Sequence, residues 1–167
     1  VQLKQFDRLI ESYANSNLPQ KKIHLVILGT GEEQDKLEKK ILDLKIETKV
    51  HLFGFKENVW DYISNAKFSV LSSQYEGFPM TILESLSLGI PVISFDCESG
   101  PNEMIINNHN GILVENQNFT ELTHKMNIFV EDEILYQNCK NNSVSSVSKF
   151  QSEVVVNQWL QMLNYGN

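Results

Sequence analysis

Cysteine is scarce: the 167 residues hold two, Cys97 and Cys139, 42 positions apart. That spacing fits no metal or redox motif, and a chain this long buries a core without disulfides or a structural metal. Both thiols read as small apolar residues, and a reduced, cytoplasmic compartment is the expectation. Long apolar runs are missing too. The stretch LVIL at 25–28 is far short of the roughly 20 residues that a membrane-spanning helix needs. No signal-peptide pattern opens the chain, which begins VQLKQFDRLIESY and already reads as helix, so the natural N-terminus is expected upstream. Positive charge is thin in one part only. Residues 1–67 carry 11 Lys and Arg against 10 acids, and residues 68–167 carry 3 against 11, for a net −7. This balance disfavours non-specific nucleic-acid binding. The near-neutral first part reads as solvated helix faces, with peripheral contact to the inner membrane, at its cytoplasmic face, as the weaker alternative. There is no D-x-D pair to hold a divalent ion, and neither a metal nor a cofactor is expected.

What is present is an ordinary globular composition, 41% hydrophobic and 21% charged, and a regular alternation of patterns. KIHLVILG (22–29) is an apolar run closed by glycine, the mark of a strand buried on both faces. In 32–45, Leu37, Ile41 and Leu44 recur at helical spacing. Strand-like VHLFGF (50–55), helical 58–66, strand-like KFSVLSS (67–73), helical PMTILESLSLG (79–89) and strand-like PVISF (91–95) follow. A short helix at 100–107 and a strand at 111–115 complete the series. Residues 118–133, the segment after Ile134 and 151–163 read as helices, the last on a stripe of Val155, Trp159 and Met162 or Leu163. Such alternation predicts an α/β, Rossmann-like, doubly wound parallel sheet with helices on both faces, here as one domain over 1–167. Five strands are countable where six are usual, and the chain opens on a helix. The missing strand is therefore expected to be the first one, central in the sheet and upstream of Val1.

Ligands of open parallel sheets sit at the carboxyl ends of the strands. GTGEEQ (29–34) offers Gly29 and Gly31, but Gln34 stands where a dinucleotide fingerprint has its third glycine, and no acid ends the next strand. A tight turn and a close approach to phosphate or ribose remain equally balanced there. The stretch QYEGFPMTILE (74–84) says more. Pro79 suits the first helical position, leaving the N–H groups of Met80 and Thr81 free for an anion. Gly77 keeps bulk out of that space. Glu76 stands at its mouth, and Glu84 lies about a turn and a half into the helix, able to reach the same crevice. A dipole partner explains one carboxylate. Two acceptor-only groups suit a polyhydroxyl ligand.

EGFPMTILE with its E-x7-E pair, SLSLGIPVISFD, SGPNEMI and NGILV, in that order, resemble the C-terminal domain of the GT-B-fold, family-four (group 1) retaining glycosyltransferases. The likeness runs from Lys4 to Asp132 and is nearest to bacterial enzymes of lipopolysaccharide, capsule and other surface glycans. It implies transfer of a hexosyl or N-acetylhexosaminyl group from a UDP-linked donor to a glycan or lipid-linked acceptor, with retention. The acceptor side belongs to an N-terminal domain absent here, so the chain alone is expected to be inactive.

By resemblance, Glu84 holds ribose hydroxyls, Glu76 is the catalytic-side carboxylate beside the donor sugar, and backbone at Gly77, Phe78, Pro79 and Met80 contacts sugar and phosphate. Lys4 matches a diphosphate-clamping lysine whose arginine partner would lie upstream. Gln5 stands where the family has glycine. Gly54 and Phe55 are candidates for the base, Phe55 being as readily a core aromatic. Glu103 reads equally as a helix cap, and His109 as a turn residue. A GT-B epimerase or phosphorylase is the enzymatic rival, and a non-catalytic sugar-nucleotide-binding module is the rival from another class.

Overall fold

The computed structural model describes residues 2–164. A short 3-10 turn (Gln2–Lys4) leads into α1 (Phe6–Ala14). Then β1 (Leu25–Ile27), α2 (Gln34–Asp43), β2 (Val50–Leu52), α3 (Val59–Ser64), β3 (Ser69–Leu71), α4 (Met80–Ser87) and β4 (Val92–Asp96) alternate. The series closes with α5 (Pro101–Met104), β5 (Gly111–Glu115), α6 (Phe119–Glu131), α7 (Glu133–Ser146) and α8 (Ser152–Asn164). Each strand expected from the apolar runs is found, and every pairing among the described residues is parallel.

Alternate residues of the strands feed two apolar layers, as a pleat demands. Ile93, Phe95, Ile112 and Val114 pack with Leu9, Ile10 and Tyr13 of α1 and Leu122, Met126 and Phe129 of α6. Val92, from the other face of β4, packs with Ile82 and Leu86 of α4 and with Met104 and Ile105. Helices thus cover both faces, the doubly wound arrangement expected. No helix among the described residues is long and apolar enough to cross a membrane. The helix α8 forms as its stripe predicts, yet Trp159, Leu160, Met162 and Leu163 on it remain more than half exposed.

The strands fall into two groups, β1–β2 and β3–β4–β5, with no pairing between them. Burial follows that division. β4, paired on both edges, is buried from Val92 to Phe95. β1 is just as apolar, but its Val26 is 41% exposed, and β3 is only half-buried throughout. The expectation that 22–29 is buried on both faces therefore fails at Val26, because β1 has a neighbour on one edge only.

Tyr13 ties α1 to the sheet. Its hydroxyl donates to the Ile23 carbonyl at 2.7 Å, with the Lys49 carbonyl at 3.3 Å, from a side chain 1% exposed. Burial pushes its pKa up to about 12. As pH rises past about 10 the unfolded chain gives up this proton first, so the native state holds more protons. Stability from Tyr13 is complete below about pH 10 and is lost between pH 10 and 12, by about 1.4 kcal/mol per pH unit. Urea unfolding at pH 9, 10 and 11 should show the steeper decline in the wild-type chain than in Tyr13→Phe.

Candidate functional site

The loops after β1, β2, β3 and β4 meet at the carboxyl end of the sheet. Lys4 is fixed there by its backbone: Ser72 Oγ donates to its carbonyl at 2.7 Å, and Gln74 N–H donates to Leu3 O at 2.9 Å. Its ammonium then reaches Glu76 Oε1 at 2.6 Å, in a pair whose carboxylate side chain is 12% exposed. The two residues are 72 positions apart in sequence, and the fold joins them.

Gln5, in the place of the family's glycine, has φ 53° and ψ 39°, the left-handed conformation that glycine adopts without penalty. Its amide exchanges hydrogen bonds at 2.8 and 2.9 Å with that of Gln117, itself at φ 66° beyond β5. The departure noted in the sequence thus keeps the backbone shape and adds a tie between Lys4 and the end of β5.

α4 supplies the other wall. Ile82 and Leu86 face the core, so Thr81 and Glu84, three apart, share the opposite side. Pro79 is the N-cap, with φ −74° and ψ 87°, one position earlier than expected, and its carbonyl accepts from Ile82 N–H at 2.9 Å. The N–H groups of Met80 and Thr81 still lead the helix, and no acid stands in its first turn to offset the dipole. Phe78 and Met80 are half exposed at the rim, Phe78 edge-on to Phe150 with centroids 5.9 Å apart.

A cavity of about 1130 Å³ is lined by Gly29, Phe55, Thr81 and Glu84, while Lys4, Gly54, Glu76 and the loop 77–80 lie outside its lining. Glu84 is half-buried. Gly29, at φ 111°, donates its N–H to Gly54 O at 2.7 Å, which brings the ends of β1 and β2 together. A Cβ at Gly29 or Gly77 would meet nothing within 4 Å, so both glycines border open space. Phe55 is 72% exposed and is no core aromatic. Gly31 is exposed and outside the cavity lining. Glu103 is exposed on α5, and His109 sits in a turn, its N–H bonded to Ile106 O.

Sequence reasoning missed three supports. Gly100, at φ 96°, lies so close under the loop that a Cβ would overlap Pro79 Cδ and come 2.9 Å from Gly77 O. Asn110 is fully buried and clips the turn after α5: its amide donates to Met104 O and Ser146 Oγ, and its oxygen accepts from Ile106 N–H. Cys97 follows β4, and burial, then the Glu76 carboxylate, push its thiol pKa up. Only the positive φ of Gly100 had a sequence signal, a glycine just before a proline.

Chemically, the Lys4–Glu76 ion pair and the acid-free N-terminus of α4 are offered by the loop after β3, and Thr81 and Glu84 by the cavity wall. The family description "Glycosyl transferases group 1" matches residues 1–145. The chain is 31% identical over 168 residues to a Staphylococcus aureus poly(ribitol-phosphate) alpha-N-acetylglucosaminyltransferase, covering 98% of this chain and 34% of that protein. It is 32% identical over 155 residues to the Campylobacter jejuni N-acetylgalactosamine-N,N'-diacetylbacillosaminyl-diphospho-undecaprenol 4-alpha-N-acetylgalactosaminyltransferase, with 93% and 42% covered. A solved S. aureus TarM variant in complex with fondaparinux, alpha-GlcNAc-glycerol and UDP superposes with a TM-score of 0.90 at 29% identity, covering 98% of this chain and 34% of that one. The chain thus spans between a third and a half of these relatives. Matched over residues 1–145, the chain belongs to the group 1 glycosyltransferases.

Proposed function

We propose that this chain is the donor-binding domain of a retaining glycosyltransferase that uses a UDP-linked hexose or N-acetylhexosamine. The observation that carries the reading is the Lys4–Glu76 ion pair just before the acid-free N-terminus of α4, a helix whose Thr81 and Glu84 line the cavity. In transfer, the bond between the sugar's anomeric carbon and the diphosphate oxygen breaks, and its electron pair leaves with UDP. An acceptor hydroxyl forms the new bond and gives up its proton. The growing charge on the leaving diphosphate needs donors fixed in advance. Lys4 and the N–H groups of Met80 and Thr81 are such donors, while Glu84 accepts from ribose hydroxyls and Glu76 lies beside the sugar. Backbone at Gly77, Phe78 and Pro79 borders the sugar, and Gly29, Gly54 and Phe55 border the base.

The acceptor, a surface glycan or lipid-linked saccharide, would be held by the rest of the longer protein, so these 167 residues alone bind donor and transfer nothing. Cytoplasmic residence, with contact to the membrane's inner face, completes the proposal.

The test is calorimetry with UDP on the full-length protein. Glu84→Ala should weaken binding about 5- to 150-fold, from losing hydrogen bonds of about 1–3 kcal/mol to a charged acceptor. Unchanged UDP affinity would remove Glu84 from the ribose. Thermal stabilisation by NAD but not by UDP-sugars would overturn the donor class itself.

A further inference from the structure

The turn between β5 and α6 reaches both halves of the Lys4–Glu76 pair. Gln117 lies in that turn, and its side-chain amide closes a ring of two hydrogen bonds with Gln5. Gln5 Nε2 donates to Gln117 Oε1 at 2.8 Å, and Gln117 Nε2 donates to Gln5 Oε1 at 2.9 Å. Gln117 Nε2 also donates to Asn116 Oδ1 at 3.1 Å, and Asn116 Nδ2 donates to the Gln74 carbonyl at 3.3 Å. Gln5 directly follows Lys4, and Gln74 stands two residues before Glu76. One turn thus fastens the chain beside each partner of the ion pair.

The backbone shows what the fastening resists. Gln5 is at φ 53° and Gln117 at φ 66°, a region in which an L side chain is strained. Starting α1 does not demand this. N-cap residues ordinarily take extended dihedrals and offer a side-chain acceptor to the helix. Gln5 makes no such side-chain cap bond, and its amide is turned to Gln117 instead. Its carbonyl still accepts from the N–H groups of Arg8 and Leu9, as any cap carbonyl does. Strain that the helix does not need points to a neighbouring group that must be aimed. That neighbour is Lys4, whose ammonium lies 2.6 Å from Glu76 Oε1.

We propose that Gln117, acting through Gln5, is a positioning residue for the diphosphate-binding lysine; this rests on the role given to Lys4 above. The paired amides hold residue 5 in the left-handed conformation, which sets the direction of the chain before it. In extended or right-handed backbone at residue 5, Leu3 and Lys4 would swing away from Gln74 and Ser72, whose N–H and hydroxyl their carbonyls accept. A glycine reaches the left-handed conformation without support but holds it loosely, whereas the glutamine pair holds it by contact. Asn116 steadies the loop that carries Glu76 in the same way. Cation and carboxylate therefore keep one geometry before a donor arrives.

Calorimetry with UDP and with uridine on the full-length protein tests this. Gln117→Gly removes the tie and relieves the strain at its own φ. It should weaken UDP binding about five- to tenfold and uridine binding less than about twofold, because a misdirected Lys4 affects only the diphosphate. Gln5→Ala, which keeps the strain and loses the tie, should behave alike. Gln5→Gly/Gln117→Gly should recover to within about threefold of wild type, since residue 5 then needs no support. A role confined to folding predicts that UDP and uridine weaken together and that the double variant is worse than either single one. That pattern, or unchanged UDP affinity in Gln117→Gly, would overturn the proposal. Lys4→Ala in the same series separates the two levels. If it weakens UDP and uridine equally, the diphosphate role of Lys4 and this proposal fall together. If it spares uridine while Gln117→Gly weakens both ligands alike, only the glutamine pair loses its role.

Discussion

In the full-length protein, Lys4→Ala is expected to weaken UDP binding about 30- to 150-fold while leaving uridine binding within about threefold of wild type. Two losses combine. The first is the charge-assisted hydrogen bond to the diphosphate, worth about 1.5–3 kcal/mol. The second comes from Glu76, which is 12% exposed and bonded to Lys4 at 2.6 Å. Without its cation, that carboxylate would face the incoming phosphates alone and repel them. Lys4→Ala/Glu76→Gln should therefore recover part of the lost UDP affinity. Folding should change little. Lys4's side chain is 40% exposed, and ion pairs that reach solvent contribute about 0–1 kcal/mol. Calorimetry with both ligands checks the claim, and equal losses for UDP and uridine would take Lys4 off the diphosphate.

The elements were legible because the apolar periods are clean. Leu37 and Ile41 are buried as the spacing of 32–45 predicts, while Leu44, at the end of α2, is 39% exposed, and Val92 to Phe95 are buried as a central strand should be. Glu84 reaches a crevice, as its helical spacing from Pro79 implies: it lines the cavity from the side of α4 opposite the wholly buried Ile82 and Leu86. Contacts across the chain were not legible. Nothing in the residues around Gln5 announces Gln117, 112 positions later, and the pair of positive φ values is fixed by tertiary hydrogen bonds. Asn110 sits in a stretch, NNHNG, that reads as plain turn, because polar turn residues look alike until one of them is buried. The exposure of Val26 reverses a local expectation for a similar reason. An apolar strand is buried only when both neighbours are present, and the count of neighbours is a property of the sheet.

Gly100→Ala should be the most damaging single change near the site that touches no ligand. The residue sits at φ 96°, where an L side chain is strained by about 1–2 kcal/mol. A methyl there would also overlap the Pro79 ring and press on Gly77 O from 2.9 Å. Neither neighbour gives easily: Pro79 is buried with a fixed φ, and the Gly77 carbonyl is backbone. Relief has to come from moving the 76–79 loop outward, which shifts Glu76 off Lys4 and turns the α4 N-terminus. A total cost of about 2–4 kcal/mol in stability follows, strain and overpacking together. UDP affinity should fall at least about tenfold beyond what the lost stability explains, because displaced donors lose their aim at the phosphates. Thermal unfolding and calorimetry on the same variant separate the two. If Gly100→Ala lowers the melting temperature but binds UDP normally once folded, the loop is held by something other than Gly100. The neighbouring Glu103→Ala, on the exposed side of α5, should leave both quantities near wild type.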